Sequence, residues 1–216
     1  MQNKINPLYL SFFLLIAIFI SLAVWINYVP IPALDLQISL FVQKHESASL
    51  DKVMLFISLF GELPYSLIMV VVIALVFFLF KYKREAYYIL SILSTGLIIL
   101  GVKSIIDRPR PTEEYVRLVE INRYQSFPSG HVLSYIVFFG FMLVLMRNQK
   151  NIPKLTRIVL FYISLFFMLT IPISRIYLGA HWFTDTVGGV VLGLAYLIPL
   201  SDFYLKPLKR RIGDKT

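Results

Sequence analysis

Six long apolar runs, separated by short polar segments, limit what this chain can fold into. They cover roughly residues 8–27, 64–81, 86–106, 132–147, 155–173 and 185–204. A helix that crosses the hydrocarbon core of a bilayer needs about 20 predominantly apolar residues, and most of these runs approach that length. The pattern predicts an all-α integral membrane protein with six transmembrane helices, folded as a single domain over residues 1–216.

Composition agrees with this class and excludes several kinds of chemistry. Hydrophobic residues make up 58% of the chain and charged residues 15%, whereas a soluble domain carries about 25% charged residues. The chain has no cysteine, which excludes disulfides, thiolate nucleophiles and cysteine metal sites. The net charge of +9 comes from short loops between apolar runs rather than from one basic face, so nucleic acid is not expected as a partner.

The interval 28–63, between the first two runs, is more polar and is interrupted by Pro30 and Pro32. Two amphipathic helices are expected there, over roughly 34–45 and 50–60, lying along the membrane surface. The first run is long and is not followed by a small-residue cleavage site, so we interpret it as a retained span rather than a signal peptide.

Lysine and arginine are distributed unevenly between the two sides that this topology creates. Most of the 21 basic residues fall near the N-terminus, in the loops 81–85 and 147–157, and in the C-terminal tail. Because cytoplasmic loops carry the excess of positive charge, both termini are expected in the cytoplasm. The segments 28–63, 107–131 and 174–185 then reach the outer face together, where they can build one site.

The segment after the third run is basic, although it lies on the side expected to carry few positive charges. Lys103 lies at the end of the run, and Arg110 follows within two Arg-Pro pairs, where proline stops the helix. Ammonium and guanidinium groups match phosphate oxygens, so the cluster predicts an anionic ligand. Snorkelling of these side chains to the membrane interface is the alternative.

The sequence Pro-Ser-Gly-His at 128–131 comes directly before the fourth run. Free backbone N–H groups and the helix dipole at such a start favour an anion. The Ser129 hydroxyl and the Gly130 N–H would contact it, and His131 would lie at its edge as a proton donor. An ordinary Ser-Gly turn is the alternative.

The stretch 174–185 places polar residues between strongly apolar ones. If a helix begins near its middle, His181 and Asp185 are spaced i, i+4 and share a face. The carboxylate could then orient one imidazole nitrogen and leave the other free to attack. Arg175 adds a guanidinium and Ser174 a hydroxyl. A helix end with a stray His and Asp is the alternative for this stretch alone.

Together the three segments resemble the signature motifs of the type 2 phosphatidic acid phosphatase (PAP2) superfamily, which read K-x6-R-P, P-S-G-H and S-R-x5-H-x3-D. Residues 103–111, 128–131 and 174–185 fill every signature position in order. The resemblance extends to the six-span plan and covers nearly the whole chain. The small size is similar to bacterial lipid phosphatases of the PgpB or undecaprenyl-pyrophosphate phosphatase type.

The resemblance implies a PAP2-type helical bundle and a metal-independent lipid phosphatase without a cofactor. The residues expected to bind the phosphoryl oxygens are Lys103, Arg110, Ser129, Gly130, Ser174 and Arg175. His181, oriented by Asp185, would attack phosphorus and form a phosphohistidine. His131 would protonate the leaving oxygen and then activate the hydrolytic water.

A phosphate site at the outer membrane surface predicts a lipid phosphate or pyrophosphate as substrate, with membrane lipids as the surroundings. Candidates are undecaprenyl pyrophosphate, phosphatidylglycerol phosphate, phosphatidic acid and diacylglycerol pyrophosphate. The motifs do not choose among them, because their residues would bind the phosphate and not the lipid tail. A phosphotransferase with the same site and a non-catalytic lipid carrier or binding protein are the alternatives. The six apolar runs exclude a soluble haloperoxidase, which shares this kind of anion site.

Overall fold

The computed structural model describes residues 7–213, with side chains up to residue 206. The two ends of the chain, which we expected in the cytoplasm, extend beyond these residues. Every regular element in the described part is a helix. In chain order they are α1 (Pro7–Tyr28), α2 (Ala33–Val42), α3 (Ala48–Leu59), α4 (Tyr65–Leu79), α5 (Lys83–Ser91), a 3-10 turn (Ile92–Ser94), α6 (Thr95–Ile105), α7 (Gly130–Asn148), α8 (Lys154–Tyr177) and α9 (Phe183–Gly213).

Five helical stretches in this part of the chain are long and apolar enough to cross a membrane. They are α1, the continuous stretch Lys83–Ile105, α7, α8 and the section Phe183–Lys206 of α9. The second predicted run forms α4, which is apolar but has 15 residues, fewer than the roughly 20 that a perpendicular span needs. The prediction of an all-helical, multi-pass membrane protein is confirmed, whereas the sixth span depends on α4 and stays a prediction.

The polar interval between α1 and α4 contains the two expected short helices. Pro32 directly precedes α2, and the Ser47 hydroxyl caps α3 by accepting a hydrogen bond from Leu50 N at 3.2 Å. Both helices turn polar side chains inward, since Asp35 on α2 and Ser58 on α3 are buried. These buried groups matter because they reach the segments that carry the motifs.

The helix α7 lies at the centre of the bundle and packs against α8 and α9. Glycines bring α7 and α9 close together: a Cβ at Gly140 would lie 2.5 Å from Leu197 Cδ2, and one at Gly193 would lie 2.8 Å from Ile136 Cβ. Lipid tails are as apolar as this core, so close packing at small residues stabilises helix association where a hydrophobic driving force is missing.

A cluster of polar side chains forms hydrogen bonds between helices at the end of the bundle where α7 ends. Gln149 Nε2 donates to Glu85 Oε1 at 2.5 Å, and the Tyr204 hydroxyl donates to the same oxygen at 3.0 Å. These bonds join α5 and α9 to the end of α7. The other end of α7 begins at Gly130 and is therefore the end at which the motif segments gather.

Candidate active site

The motif segments meet around one cavity of about 900 Å³. Lys103 from the last turn of α6, Gly130 and His131 from the first turn of α7, and His181 from the turn between α8 and α9 all line it. Arg110, from the connection between α6 and α7, lines it as well. Segments up to 78 positions apart in the sequence therefore place two cations and two imidazoles around the same space.

The ring of His181 is buried beside Asp185, four positions further along. His181 Nδ1 lies 3.4 Å from Asp185 Oδ2, with side chains that are 2% and 0% exposed. This is an ion-pair distance rather than a hydrogen bond, and Nδ1 has no hydrogen-bond partner among the described residues. Nε2 lies 3.4 Å from Arg110 Nη1. The nitrogen next to the cation is the one placed to meet an anion.

The environment of His181 keeps its imidazole uncharged. Burial is the largest influence, and the positive charges of Arg110, Arg175 and Lys103 add to it, so that the pKa of His181 falls well below its usual range. A neutral imidazole retains the lone pair that a nucleophile requires.

Two cations beside His181 are held by main-chain carbonyls instead of carboxylates. Arg110 Nη1 donates to the Ala180 carbonyl at 2.6 Å, and its Nε donates to the Tyr124 carbonyl. Lys103 Nζ donates to the Gln125 carbonyl. Burial, followed by the charge of Arg175, lowers the pKa of Arg110 to about 10, which leaves it protonated at neutral pH. Both charges are positioned without being neutralised, as binding of phosphate requires.

Ser129 and Gly130 form the start of α7. The Ser129 hydroxyl accepts from Val132 N at 3.5 Å as the helix cap, and Ser129 N donates to the Asp185 carbonyl at 3.0 Å. Ser129 is buried and is not part of the cavity wall, whereas Gly130 is. A hydrogen bond from Ser129 to phosphate stays a prediction.

His131 faces a carboxylate from the turn between α3 and α4. Glu62 Oε1 lies 3.0 Å from His131 Nε2, although the pair does not have hydrogen-bond geometry. A Cβ at Gly61 would lie 2.2 Å from His131 Cδ2, so glycine lets this turn pack against the ring. Sequence reasoning missed Glu62, because a lone acid before an apolar run carries no signal for a site on α7.

Arg175 is fully buried in the last turn of α8, and its fork is occupied. Its Nη1 and Nη2 each contact a Glu120 carboxylate oxygen at 2.7 Å, and Nη1 also contacts the Ser58 hydroxyl. Burial acts to raise the pKa of Glu120, but the hydrogen bonds and charge of Arg175 prevail and bring it to about 2. Arg175 acts on His181 and Arg110 through its charge, and its direct contact with phosphate stays a prediction.

Ser174 points toward α3 rather than into the cavity. Its hydroxyl donates to the Met54 carbonyl at 2.7 Å, and the side chain is buried. The hydrogen bond joins α8 to α3 just before Arg175. Ser174 was predicted to contact the phosphate, but its hydroxyl binds the Met54 carbonyl and its side chain does not line the cavity.

The turn that delivers His181 depends on glycine. Gly179 has φ +69°, and a Cβ there would lie 2.3 Å from the Arg117 carbonyl oxygen. The Leu178 carbonyl beside it accepts from Val119 N at 3.0 Å. The connection 107–129 therefore packs onto the turn that carries His181.

Residues 84–207 match the sequence model of the PAP2 superfamily. The match covers more than half of the chain and includes every motif position named above. The chain belongs to the PAP2 superfamily.

Two bacterial proteins are similar to this chain in sequence. Phosphatidylglycerophosphatase B of Bacillus subtilis (strain 168) is 29% identical over 161 residues, 71% of this chain and 75% of that protein. Lipid A 1-diphosphate synthase of Escherichia coli (strain K12) is 31% identical over 83 residues, 36% of this chain and 31% of that protein.

Two crystal structures share the PAP2 bundle. The transmembrane PAP2-type phosphatidylglycerolphosphate phosphatase of Bacillus subtilis superposes with a TM-score of 0.79 at 25% identity, over 91% of this chain and 96% of that one. LpxE of Aquifex aeolicus superposes with a TM-score of 0.59 at 23% identity, over 81% of this chain and 96% of that one, and supports the fold. The family and the phosphatase relative identify this membrane protein as a lipid phosphatase.

The least expected residue of this PAP2 site is Arg108, the first arginine of the Arg-Pro pairs. Its Nη1 lies 2.5 Å from Asp185 Oδ1. The other carboxylate oxygen, Oδ2, accepts from the Ser126 hydroxyl and from Trp182 N at 2.8 Å. Arg110 two residues later fills the motif position, so no separate role was predicted for Arg108.

Proposed function

We propose that this phosphatase hydrolyses lipid phosphates or pyrophosphates at the outer face of the bacterial cytoplasmic membrane, through a phosphohistidine on His181. The observation that carries the proposal is the meeting of His181, His131, Lys103 and Arg110 on one cavity whose remaining walls are largely apolar. Such a space suits a phosphorylated head group attached to an apolar tail.

The first step is capture of the phosphoryl group. Lys103, Arg110 and Gly130 line the same cavity as His181, and the N-terminus of α7 adds its dipole. Phosphoryl transfer depends mostly on positioning and charge stabilisation. The described residues hold no cluster of three or more His, Asp or Glu side chains suited to a metal ion. Lys103 and Arg110 would stabilise the charge of the transition state.

The second step is formation of the intermediate. His181 Nε2 attacks phosphorus, and the bond between phosphorus and the leaving oxygen breaks as the Nε2–P bond forms. His131 gives its proton to the leaving oxygen. Asp185, 3.4 Å from Nδ1, stabilises the positive charge that the ring acquires.

The third step is hydrolysis. His131, now neutral, takes a proton from a water molecule as the water oxygen bonds to phosphorus and the Nε2–P bond breaks. Phosphate leaves, and both imidazoles return to their starting protonation states. Removing one group that stabilises such a transition state costs about 10²–10³ in rate.

The apolar part of the cavity supports a lipid substrate. Leu67 and Val70 of α4 and Ile99 and Leu100 of α6 line it, beyond the polar end. A tail could enter between α4 and α6 while the phosphate stays at the polar end. Phosphatidylglycerol phosphate is the first candidate because of the Bacillus subtilis relative, and undecaprenyl pyrophosphate and phosphatidic acid are further candidates.

The proposed orientation rests on the basic residues. Lys83 and Arg84 lie at the start of α5. Arg147 lies in the last turn of α7 and Lys150 just after it, at the end of the bundle away from the cavity. With these on the cytoplasmic side, α4 serves as the sixth span, α2 and α3 lie at the outer interface, and the two termini are cytoplasmic.

A phosphotransferase is the second candidate. The Escherichia coli relative is a lipid A 1-diphosphate synthase, although it matches only 36% of this chain. The same phosphohistidine could pass its phosphoryl group to an acceptor on a second lipid instead of to water. The alternative of a non-catalytic lipid carrier receives no support from the site, because binding does not need a His–Asp pair.

The test is phosphate release from a panel of lipid phosphates by detergent-purified protein, with and without EDTA. The wild type should release phosphate in both conditions, and His181→Ala should abolish release. His45→Ala is the matched control, since this exposed histidine follows α2 and does not line the cavity. Phosphate that appears on an added lipid acceptor would favour the transferase, and full activity of His181→Ala would overturn the assignment of the nucleophile.

A further inference from the structure

A buried charge cluster lies behind Asp185, on the side away from His181. We propose that Arg108 and Asp35 are positioning residues that hold Asp185 against His181 and keep its negative charge effective there. The proposal rests on the proposed function of His181 as nucleophile. Neither residue lines the cavity of about 900 Å³, so both act through Asp185.

Arg108 joins three parts of the chain. Its side chain is 1% exposed, with Nη2 2.5 Å from Asp35 Oδ2 and Nη1 2.5 Å from Asp185 Oδ1. Nη1 also donates to the Thr184 hydroxyl at 2.7 Å, and Nε donates to the Pro30 carbonyl at 2.9 Å. The guanidinium is thereby fixed from every side, and it fixes Asp185 Oδ1 in turn.

Asp35 reaches from α2 to the first turn of α9. Its Oδ1 accepts from Thr184 N at 2.8 Å, and its Oδ2 accepts from the Thr184 hydroxyl at 2.7 Å. A carboxylate at this point satisfies a free N–H of the helix start and matches the positive end of its dipole. Asp35 therefore holds the first turn of α9 at Thr184, one residue before Asp185.

The charges explain why two carboxylates share one arginine. A guanidinium paired with Asp185 alone would cancel the charge that Asp185 exerts on His181. Asp35 offsets the guanidinium, so the cluster of Asp35, Arg108 and Asp185 keeps a net charge of about one negative unit beside the imidazole. This charge is needed when Nε2 bonds to phosphorus and the ring becomes positive, and its effect is strong because the cluster is buried.

Geometry supports the same conclusion. Arg108 takes Asp185 Oδ1, so Oδ2 is the oxygen that faces His181 Nδ1 at 3.4 Å. A displacement of about 1 Å at a catalytic group can cost about 10²-fold in rate. Loss of the Asp35 charge should therefore lower kcat while leaving KM nearly unchanged.

The test is a double-mutant cycle on kcat with an activated aryl phosphate, which keeps weak variants measurable. Asp35→Asn in the wild-type background should lower kcat about 10–100-fold, with KM within about twofold. In the Asp185→Asn background the same change should cost less than about threefold, because the group through which Asp35 acts is gone. Equal losses in the two backgrounds would mean that Asp35 is merely structural, and would overturn the proposal.

A similar ion pair outside the site serves as the matched control. Arg117 Nη2 contacts Asp51 Oδ1 at 2.7 Å and joins the connection 107–129 to α3, as Arg108 joins it to α2. Asp51→Asn should lower the melting temperature in detergent but change kcat by less than about threefold, equally in both backgrounds.

Thr184→Val provides a second variant if Asp35→Asn does not fold, since it removes the hydroxyl between Asp35 and Arg108 and changes no charge. It should lower kcat about 3–10-fold in the wild type and have little effect with Asp185→Asn. If Thr184→Val and Asp35→Asn both kept the kcat of the wild type, the inference would be overturned and the proposed function would stand. A wild-type protein that released no phosphate from any lipid would instead overturn the proposed function.

Discussion

At the scale of single residues, the state of His181 should govern how activity depends on pH. Burial and neighbouring cations lower its pKa well below the usual range, so the ring stays neutral as pH falls through 6. Activity due to His181 is then present above its lowered pKa and is lost only as pH falls through that value. The acid limb of kcat/KM should lie well below pH 6.5 in the wild type.

Removing one neighbouring cation should move that limb. Arg110→Gln takes a positive charge from beside Nε2, so the pKa of His181 should rise and the acid limb should shift to higher pH by roughly one unit, besides any loss in rate. The measurement is the pH profile of kcat/KM with a short-chain substrate. Arg147→Gln, an exposed arginine at the other end of α7, should leave the limb in place, and an unshifted limb in Arg110→Gln would contradict the argument.

Glu62 should matter through His131. A carboxylate 3.0 Å from Nε2 stabilises the protonated ring that gives its proton to the leaving oxygen. General acid catalysis contributes about 10²–10⁴-fold, so Glu62→Gln should lose about tenfold with a poor leaving group and much less with an aryl phosphate. Glu113→Gln, on an exposed part of the 107–129 connection, is the control. Equal losses on both substrates would argue against this role.

Some residue roles could be predicted from sequence and others could not. His181 and Asp185 are four positions apart, so helix geometry alone predicts their proximity. Arg108 and Asp35 are 73 positions apart and lie on segments with no common periodicity. A long-range pair of this kind follows only from how the connection 107–129 packs against α2 and α9. The motifs therefore identified the pair of His181 and Asp185 and the cations that line the cavity, but not Arg108 and Asp35, which lie behind Asp185.

At the scale of elements, local signals placed most helices. The short helices predicted over roughly 34–45 and 50–60 form α2 and α3 within a few residues of those bounds, because the prolines before them and the amphipathic pattern are local signals. The third run was predicted as one helix over 86–106 but forms α5, a 3-10 turn and α6, beginning at Lys83. The fifth apolar run was predicted to end at 173, just before Ser174 and Arg175, whereas α8 continues to Tyr177. Hydropathy misses this last turn because its polar side chains are buried in protein rather than in lipid.

The turn between α8 and α9 should tolerate only glycine at 179. Gly179→Ala places a Cβ 2.3 Å from the Arg117 carbonyl oxygen at φ +69°, and a strained left-handed residue costs about 1–3 kcal/mol before any clash. The expected result is a lower melting temperature in detergent together with a large loss of kcat, since His181 follows two residues later.

Gly101→Ala on α6 is the matched control for Gly179→Ala. No atom lies within 4 Å of its Cβ position, and alanine is favoured over glycine in a helix by about 1 kcal/mol. Gly101→Ala should therefore retain activity and stability. A Gly179→Ala variant that behaved like Gly101→Ala would contradict the role given to this turn.

At the scale of the whole molecule, the cavity predicts lateral entry of the lipid tail between α4 and α6. Gly96 on α6 lines it, and no atom lies within 4 Å of its Cβ position. Gly96→Phe should fill this part and raise KM for a long-chain lipid phosphate by about 10–100-fold, with little change for an aryl phosphate. Gly101→Phe, on the same helix but outside the cavity wall, should change neither KM. Similar effects on both substrates would argue against a tail site here.

Orientation and the number of spans can be tested together, because the chain contains no cysteine. Single cysteines at His45, Lys83, Glu113 and Lys150 are all on exposed positions. If the excess of positive charge marks the cytoplasm, a membrane-impermeant maleimide should label His45→Cys and Glu113→Cys in intact cells, and Lys83→Cys and Lys150→Cys only after lysis. His45 precedes α4 and Lys83 comes after it, so the two positions together report whether this 15-residue helix crosses the bilayer. The same accessibility for His45→Cys and Lys83→Cys would mean that α4 does not cross, and labelling of Lys150→Cys without Glu113→Cys in intact cells would place the phosphate site at the cytoplasmic face.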